Sequence, residues 1–267
     1  MVVMQLNVPG NPDDLEFTET RQPRAIRAGS VLPARRENIE LHTEDGLRLV
    51  GELALPEGDI KGTLVTLHPL PTHDGFMDSH VIRKASYRLP ALAGIAVLRF
   101  NTRGTASARG VSDGQFEEGV GERADVLAAS RFAAERGLPG RWLLGWSFGT
   151  ELALKYGALP PVSEETEGAI LLSPPVHRAG SQDLDAWADS ARPLTVLVPE
   201  LDDYLRPDAA AERFARVPQA KMVPVSGAKH LWVGEKFANR ALEEIASTVL
   251  ARTVTLPAEW AGPMASV

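Results

Sequence analysis

The sequence predicts an α/β fold with a mostly parallel central sheet, an antiparallel N-terminal hairpin and helices on both faces. Two observations lead to this prediction. Short apolar runs typical of buried strands alternate along the chain with longer segments of helical periodicity. Before them, residues 39–53 form two segments of alternating apolar and polar residues around the turn Glu44-Asp45-Gly46, which is the pattern of a β-hairpin.

The remaining elements follow in chain order. Short apolar runs predict strands at 63–67, 95–100, 141–145, 168–173, 194–199 and 221–225. Longer segments between and after them predict helices at 78–92, 119–136, 148–158, 207–216 and 233–251. In the second of these helices, Ala124, Leu127 and Ala128 recur at helical spacing, and Gly137 ends the pattern.

The ends of the chain differ from its middle. Residues 1–36 lack periodic structure and contain four prolines, so they are predicted to form an extended N-terminal arm. One large α/β domain is expected at 37–252, which agrees with the total length of 267 residues. Residues 253–267 are predicted to be a C-terminal tail.

Composition excludes several classes of function. The formal net charge is −7 and no basic stripe is present, which disfavours a nucleic-acid partner. The absence of cysteine excludes disulfides, thiolate metal sites and a cysteine nucleophile. Residues 1–10 contain neither lysine nor arginine and no sustained apolar run, so we expect no secretory signal, and no stretch approaches 18 apolar residues. A cytoplasmic enzyme is therefore the expectation.

A G-x-S-x-G motif, Gly145-Trp146-Ser147-Phe148-Gly149, follows directly after the predicted strand 141–145. A serine on a tight strand-to-helix turn projects its hydroxyl out of the sheet, and small flanking residues are needed to fit that turn. The motif therefore predicts Ser147 as a nucleophile. The competing interpretation is a glycine-containing turn that happens to hold a serine.

Two later loops supply the partners that a nucleophilic serine needs. A base must take the proton of the hydroxyl, and a carboxylate must orient that base. His230 follows the last predicted strand, and the loop after the strand 194–199 carries Glu200, Asp202 and Asp203. The order of serine, acid and histidine is the order expected for such a triad on an α/β sheet, and it favours the catalytic interpretation over chance.

Over roughly residues 38–252 the chain resembles the α/β-hydrolase superfamily, and most of all its small esterase-like and dienelactone-hydrolase-like members. The resemblance is carried by His68-Pro69-Leu70-Pro71 and by Arg99-Phe100-Asn101-Thr102-Arg103-Gly104. It implies the α/β-hydrolase fold. The chain departs from these relatives after Gly104, where Thr105-Ala106-Ser107-Ala108-Arg109-Gly110 replaces their usual G-x-S segment.

The resemblance also selects the acid. In these relatives a proline follows the acid by four residues, and placing Pro207 at that position implies Asp203 as the triad acid. Asp202 is the second candidate, although an aspartate in such a loop commonly caps the turn, and Glu200 is the third.

An oxyanion hole requires two N–H groups directed at the developing negative charge. One is expected from Phe148, the residue after the nucleophile, at a helix N-terminus. The other is expected from the loop after the strand 63–67, where Pro69 has no N–H and Leu70 is therefore the candidate. We expect His68 to support this loop rather than to perform chemistry.

Other polar and aromatic residues receive structural interpretations. The spacing of His73, Asp74, Asp78 and His80 matches no zinc motif, so neither a metal nor a cofactor is expected. The remaining candidates are expected in the core (Trp146, Trp187, Trp232), in ion pairs or solvated loops (Arg103, Arg109), or in a surface or pocket loop (His177).

The leading hypothesis is a serine hydrolase of the carboxylic ester hydrolase type, acting on a small acyl substrate. The interval 174–192 has only 19 residues and room for one short helix near 184–188, so it predicts a minimal cap, an open site and a small, soluble substrate. Peptidase, amidase or thioesterase chemistry would use the same triad, and a non-catalytic binding protein would keep the same fold. A nucleotide-binding protein is disfavoured because neither a G-x-G-x-x-G nor a phosphate-loop motif follows an early strand.

Overall fold

An eight-stranded mixed sheet forms the centre of the structure, as the sequence predicts. The computed structural model describes residues 22–267. In chain order the strands of this sheet are β1 (Arg35–His42), β2 (Arg48–Leu55), β3 (Gly62–Leu67), β4 (Ile95–Phe100), β5 (Arg141–Trp146), β6 (Gly168–Leu172), β7 (Leu194–Pro199) and β8 (Ala220–Val225). Their spatial order is β8-β7-β6-β5-β3-β4-β2-β1.

The sheet is antiparallel at one edge and parallel elsewhere. Strands β1 and β2 form the predicted hairpin, in the register Arg35 to Leu55 through His42 to Arg48, and β2 pairs antiparallel with β4. All other pairs, from β4 through β3, β5, β6 and β7 to β8, are parallel. Strands β3 and β4 are buried along their whole length, as expected for a parallel sheet covered on both faces.

Helices cover both faces of the sheet. They are α1 (His80–Ala93), α2 (Glu122–Glu135), α3 (Phe148–Tyr156), α4 (Val162–Glu165), α5 (Ser181–Ser190), α6 (Pro207–Phe214) and α7 (Glu235–Val249). Side chains of α1 and α7 pack in one apolar core with Leu64 and Val97, and those of α2, α3, α5 and α6 pack in a second core with Val65 and Leu98. Within the described part of the chain, no helix has the length and apolar character that crossing a membrane requires.

The two ends of the described chain lie against each other. Arg24–Ala25 pairs with Glu259–Trp260, and Ser30–Val31 pairs with Ala265–Ser266. Residues 1–21 of the predicted arm lie outside the described residues. The first long strand begins at Arg35, two residues before the predicted start of the domain.

The parallel strands bring distant parts of the sequence to one edge. The carboxyl ends of β3, β5, β6, β7 and β8 point the same way, so the loops after them meet. The segment after β6 contributes the helix α5, which is longer than the predicted helix at 184–188. The side chain of Trp187 in α5 is buried, and its Nε1 donates to the carbonyl of Leu154 in α3.

Candidate active site

Ser147 lies on the sharp turn between β5 and α3 that the G-x-S-x-G motif predicts. Its backbone has φ 52° and ψ −117°, a conformation that residues with a Cβ adopt rarely and that is typical of strained functional turns. The Ser147 N–H donates to the carbonyl of Leu172 at 2.9 Å, which fixes the turn to the end of β6.

Both glycines of the motif are required by close backbone contacts. A Cβ on Gly145 would lie 2.4 Å from the carbonyl oxygen of Gly149. A Cβ on Gly149 would lie 2.0 Å from the carbonyl oxygen of Leu67, at the end of the neighbouring strand β3. The helix α3 therefore packs directly against β3, and this contact brings Ser147 close to the loop that begins at His68.

A chain of hydrogen bonds joins Ser147 to a carboxylate through His230. The Oγ of Ser147 lies 2.9 Å from Nε2 of His230. The other ring nitrogen, Nδ1, donates to the carboxylate of Asp202, at 2.9 Å to Oδ2 and 3.1 Å to Oδ1. His230 and Asp202 are both buried. Because Nδ1 donates, Nε2 of the neutral ring is free to accept the proton of the serine hydroxyl.

The structure corrects the choice of Asp203 as the partner of His230. Asp203 is exposed, and it is Asp202 that points inward to the ring. Asp202 also accepts the N–H groups of Tyr204 at 2.9 Å and Leu205 at 3.3 Å, so it caps its own turn as well. Capping the turn and holding the histidine are compatible, because a carboxylate has two oxygens and several lone pairs.

The same contacts keep Asp202 ionised. Burial raises its pKa, but the hydrogen bond from His230 and the backbone N–H groups of Tyr204 and Leu205 outweigh burial, and the pKa is lowered overall. The third candidate, Glu200, accepts from the Ser226 hydroxyl at 2.7 Å and so links the loops after β7 and β8 instead of contacting His230.

The loop after β3 is fixed by His68, which is buried. Its Nε2 accepts the N–H of Thr102 at 3.0 Å, so Nδ1 carries the proton and donates to the carbonyl of Pro69 at 2.7 Å. Burial lowers the pKa of His68 to about 4, so the ring stays neutral. Since the C=O and N–H of a trans peptide point in opposite directions, this hydrogen bond turns the N–H of Leu70 away from the His68 ring.

A cavity of about 340 Å³ lies beside Ser147. The predicted oxyanion residues, Leu70 and Phe148, both line it together with Ser147 and His230. Four of the eight remaining wall residues are apolar or aromatic, namely Pro69, Pro175, Tyr204 and Leu231. The ring of Tyr204 makes edge contacts with the rings of His230 and His177, with centroid separations of 4.6 and 5.5 Å.

Two charged residues outside the sequence motifs, Glu151 and Arg178, form another side of the cavity. Glu151 is buried on α3, and its Oε1 accepts the N–H groups of His177, at 2.6 Å, and of Arg178. The side chain of Arg178 pairs with Glu118 at 2.7 Å and with Glu151 at 3.4 Å. In the sequence, only the spacing from Ser147 indicates that Glu151 lies near the site. Glu151 is four residues after Ser147, which places it one helical turn along α3.

Of the other polar candidates, His73 lines the cavity, whereas Asp78, His80, Arg103 and Arg109 make structural contacts. Asp78 pairs with Arg99, and His80 Nε2 donates to the carbonyl of Leu231. Across residues 22–267, no three histidine, aspartate or glutamate side chains come together as a metal site would require. Arg103 and Arg109 form ion pairs with Asp125 and Glu52, and the three tryptophans predicted in the core, Trp146, Trp187 and Trp232, are buried.

Comparison with known proteins gives matches among solved structures alone, since no protein-family model and no curated protein matches the chain. A lidless α/β serine hydrolase from Xanthomonas campestris is 26% identical, with 83% of this chain and 94% of that chain covered and a TM-score of 0.63. An esterase from Pyrococcus furiosus is 17% identical, with 87% and 100% covered and a TM-score of 0.68. An esterase domain from Rhodothermus marinus is 19% identical, with 81% and 99% covered and a TM-score of 0.63.

Proposed function

We propose, from the premise that this chain has the fold of the α/β hydrolases, that it is a serine hydrolase which cleaves an ester-type acyl bond of a small substrate. One observation carries the proposal. The side chains of Asp202, His230 and Ser147 form a continuous chain of hydrogen bonds that ends at a serine hydroxyl facing a cavity. This is the arrangement that activates a serine for acyl transfer.

The reaction follows from the direction of these hydrogen bonds. Ser147 Oγ attacks the carbonyl carbon of the substrate, and its proton passes to Nε2 of His230. The bond from that carbon to the alcohol oxygen breaks, and the alcohol leaves with the proton from His230. Water then attacks the carbonyl carbon of the acyl-enzyme and gives a proton to His230. The bond from that carbon to Ser147 Oγ breaks, the carboxylic acid leaves, and His230 returns the proton to Ser147 Oγ. Asp202 stabilises the positive charge on His230 in both steps.

The negative charge on the carbonyl oxygen needs donors on the other side of the cavity. We assign this role to the N–H groups of Phe148 and Leu70, which both border the cavity next to Ser147. Phe148 is the first residue of α3, where the N–H groups of a helix are unpaired and the helix dipole favours negative charge. For Leu70, the support is the hydrogen bond from His68 to the carbonyl of Pro69, which sets the orientation of that peptide.

The dimensions of the cavity favour a small acyl group. A volume of about 340 Å³ is near the lower end of the range for small-molecule sites. The interval 174–192 contributes Pro175, His177 and Arg178 to the wall, whereas the buried Trp187 anchors α5 to α3. The short length of the interval 174–192 supports an open site with a minimal cap.

The test is the reactivity of Ser147. The folded protein is treated with a fluorophosphonate probe, and the modified peptide is identified by mass spectrometry. We expect one adduct on Ser147, no adduct in Ser147→Ala, and loss of p-nitrophenyl acetate hydrolysis in the same variant. Hydrolysis by Ser147→Ala at the wild-type rate would refute the proposed mechanism, and a folded wild-type protein that gives no adduct would favour a non-catalytic binding protein.

Amide and thioester hydrolysis remain the alternatives, since they use the same residues. Several of the similar structures are esterases, and one from Butyrivibrio proteoclasticus is described with bound ferulic acid, so esters are the first substrates to test. A panel in which one acyl group is presented as ester, thioester and amide separates the three, because only the leaving atom differs.

A further inference from the structure

The backbone carbonyl of His230 is held by side chains from two other strands. Trp146, the last residue of β5, donates its Nε1–H to this carbonyl at 3.3 Å. Ser173, directly after β6, donates its hydroxyl to the same oxygen at 3.1 Å. Trp232 donates its Nε1–H to the Ser173 hydroxyl at 2.9 Å, which leaves the serine proton directed at His230. All four residues are buried.

Two of these residues have an unfavourable backbone conformation. Ser173 has φ 51° and Trp232 has φ 53°, in the left-handed region that side chains with a Cβ disfavour. Such residues persist where surrounding contacts fix them, and they concentrate at functional sites. Here the contact that joins the two strained residues is the hydrogen bond between their own side chains.

The loop that carries His230 needs external support. It runs from the end of β8 to the start of α7 and contains Gly227 and Gly234, both with positive φ. His80 of α1 provides one further contact, because its Nε2–H donates to the carbonyl of Leu231. The carbonyls of two successive residues, 230 and 231, are therefore held by side chains from outside the loop.

We propose that Ser173 is a positioning residue for His230. Trp232 orients the Ser173 hydroxyl, and Trp146 donates a second hydrogen bond to the same carbonyl of His230. Fixing the carbonyl of His230 fixes the direction of its Cα–Cβ bond, so the ring reaches Ser147 and Asp202 at the same time. The inference rests on the proposed function, since it assigns Ser173 to the same active site. A displacement of about 1 Å in such a group can lower a rate about 10²-fold.

The main test compares Ser173→Ala with Ser130→Ala. Ser130 is the matched control because it is also buried and its hydroxyl also donates to a backbone carbonyl, that of Val126, but within α2. With p-nitrophenyl acetate, we expect Ser173→Ala to lower kcat by about 10- to 100-fold with KM within about twofold. Ser130→Ala should retain the wild-type kcat at a temperature where circular dichroism shows both variants folded.

A second variant, Trp232→Phe, tests the same hydrogen bonds in case Ser173→Ala does not fold. Trp232→Phe keeps most of the ring but removes the Nε1–H that directs the Ser173 hydroxyl. If both residues act through the carbonyl of His230, their effects on kcat are not additive, and the double variant should be no slower than Ser173→Ala within about threefold. Independent losses that multiply in the double variant would contradict the proposed connection.

The mobility of the His230 ring gives a measurement that does not depend on turnover. With ¹³C-labelled histidine, the ring signal of His230 is assigned by its loss in His230→Gln. We expect Ser173→Ala to broaden or shift this signal and Ser130→Ala to leave it unchanged. A kcat and a ring signal equal to the wild type in Ser173→Ala would overturn the inference, while failure of the proposed function would show separately, as undiminished hydrolysis by Ser147→Ala.

Discussion

Asp202 Oδ2 and His230 Nδ1 lie 2.9 Å apart, and both side chains are buried. Of the three carboxylates in the loop after β7, this is the one that contacts the ring. The neighbouring Asp203 is exposed. The two residues therefore form a natural pair of test and control positions, one residue apart in the same loop.

We expect Asp202→Asn to lower kcat by about 10³- to 10⁴-fold, because an amide does not hold the ring in the tautomer that leaves Nε2 as the acceptor. Asp203→Asn should change kcat by less than about threefold, since surface substitutions have small effects. The measurement is steady-state hydrolysis of p-nitrophenyl acetate. A large loss in Asp203→Asn and none in Asp202→Asn would restore the assignment of Asp203.

The N–H of Leu70 can be removed with little change of backbone. Leu70 has φ −57°, which is close to the value that proline imposes. Leu70→Pro should therefore keep the loop and delete one of the two proposed oxyanion donors, which is expected to lower kcat by about 10²- to 10³-fold. Leu70→Ala is the control, because it shortens the side chain but retains the N–H. Equal kcat values in the two variants would show that the Leu70 N–H does not bind the oxyanion.

Gly149 determines how closely α3 approaches β3. Gly149→Ala places a methyl group 2.0 Å from the carbonyl oxygen of Leu67, so strand and helix must separate. We expect the free energy of unfolding to fall by about 3 kcal/mol, as in other overpacked sites, and urea denaturation measures it. Gly58→Ala is the control, since a Cβ on Gly58 meets no atom within 4 Å. Equal urea midpoints for the two variants would contradict the close contact.

His68 should make the protein sensitive to mild acid. Burial lowers its pKa to about 4, compared with 6.5 for the exposed group. The unfolded chain therefore binds a proton first as the pH falls, and stability that is fully present above about pH 6.5 is lost as the pH falls towards 4. For His68 alone, the loss between about pH 7.5 and pH 5 is on the order of 2 kcal/mol.

The variant that checks this is His68→Asn, which does not titrate in this range. Between about pH 7.5 and pH 5, His68→Asn should lose about 2 kcal/mol less unfolding free energy than the wild type. His42→Gln, which replaces an exposed histidine on β1, should show the wild-type loss. Parallel pH dependence in the wild type and His68→Asn would show that burial of His68 is not linked to acid sensitivity.

Local sequence was sufficient to predict the elements of the fold and to select Ser147 and His230, which the structure joins by a hydrogen bond. Apolar runs of strand length, separated by helical segments, require a covered parallel sheet, and such a sheet places the ends of its strands at one edge. The serine of the G-x-S-x-G motif follows β5, and a histidine follows β8. The parallel topology therefore brings both residues to that edge. Both were identifiable because Ser147 follows β5 directly and His230 lies in the loop just after β8.

The tertiary structure decided which neighbouring carboxylate faces the histidine and which distant residues hold it. Asp202 and Asp203 are chemically the same, and only the path of their loop turns one inward. Ser173 is 57 positions from His230 in the chain, and no local pattern links a serine after β6 to a backbone carbonyl after β8. Such contacts depend on directions and distances between strand ends, which spacing along the sequence does not specify.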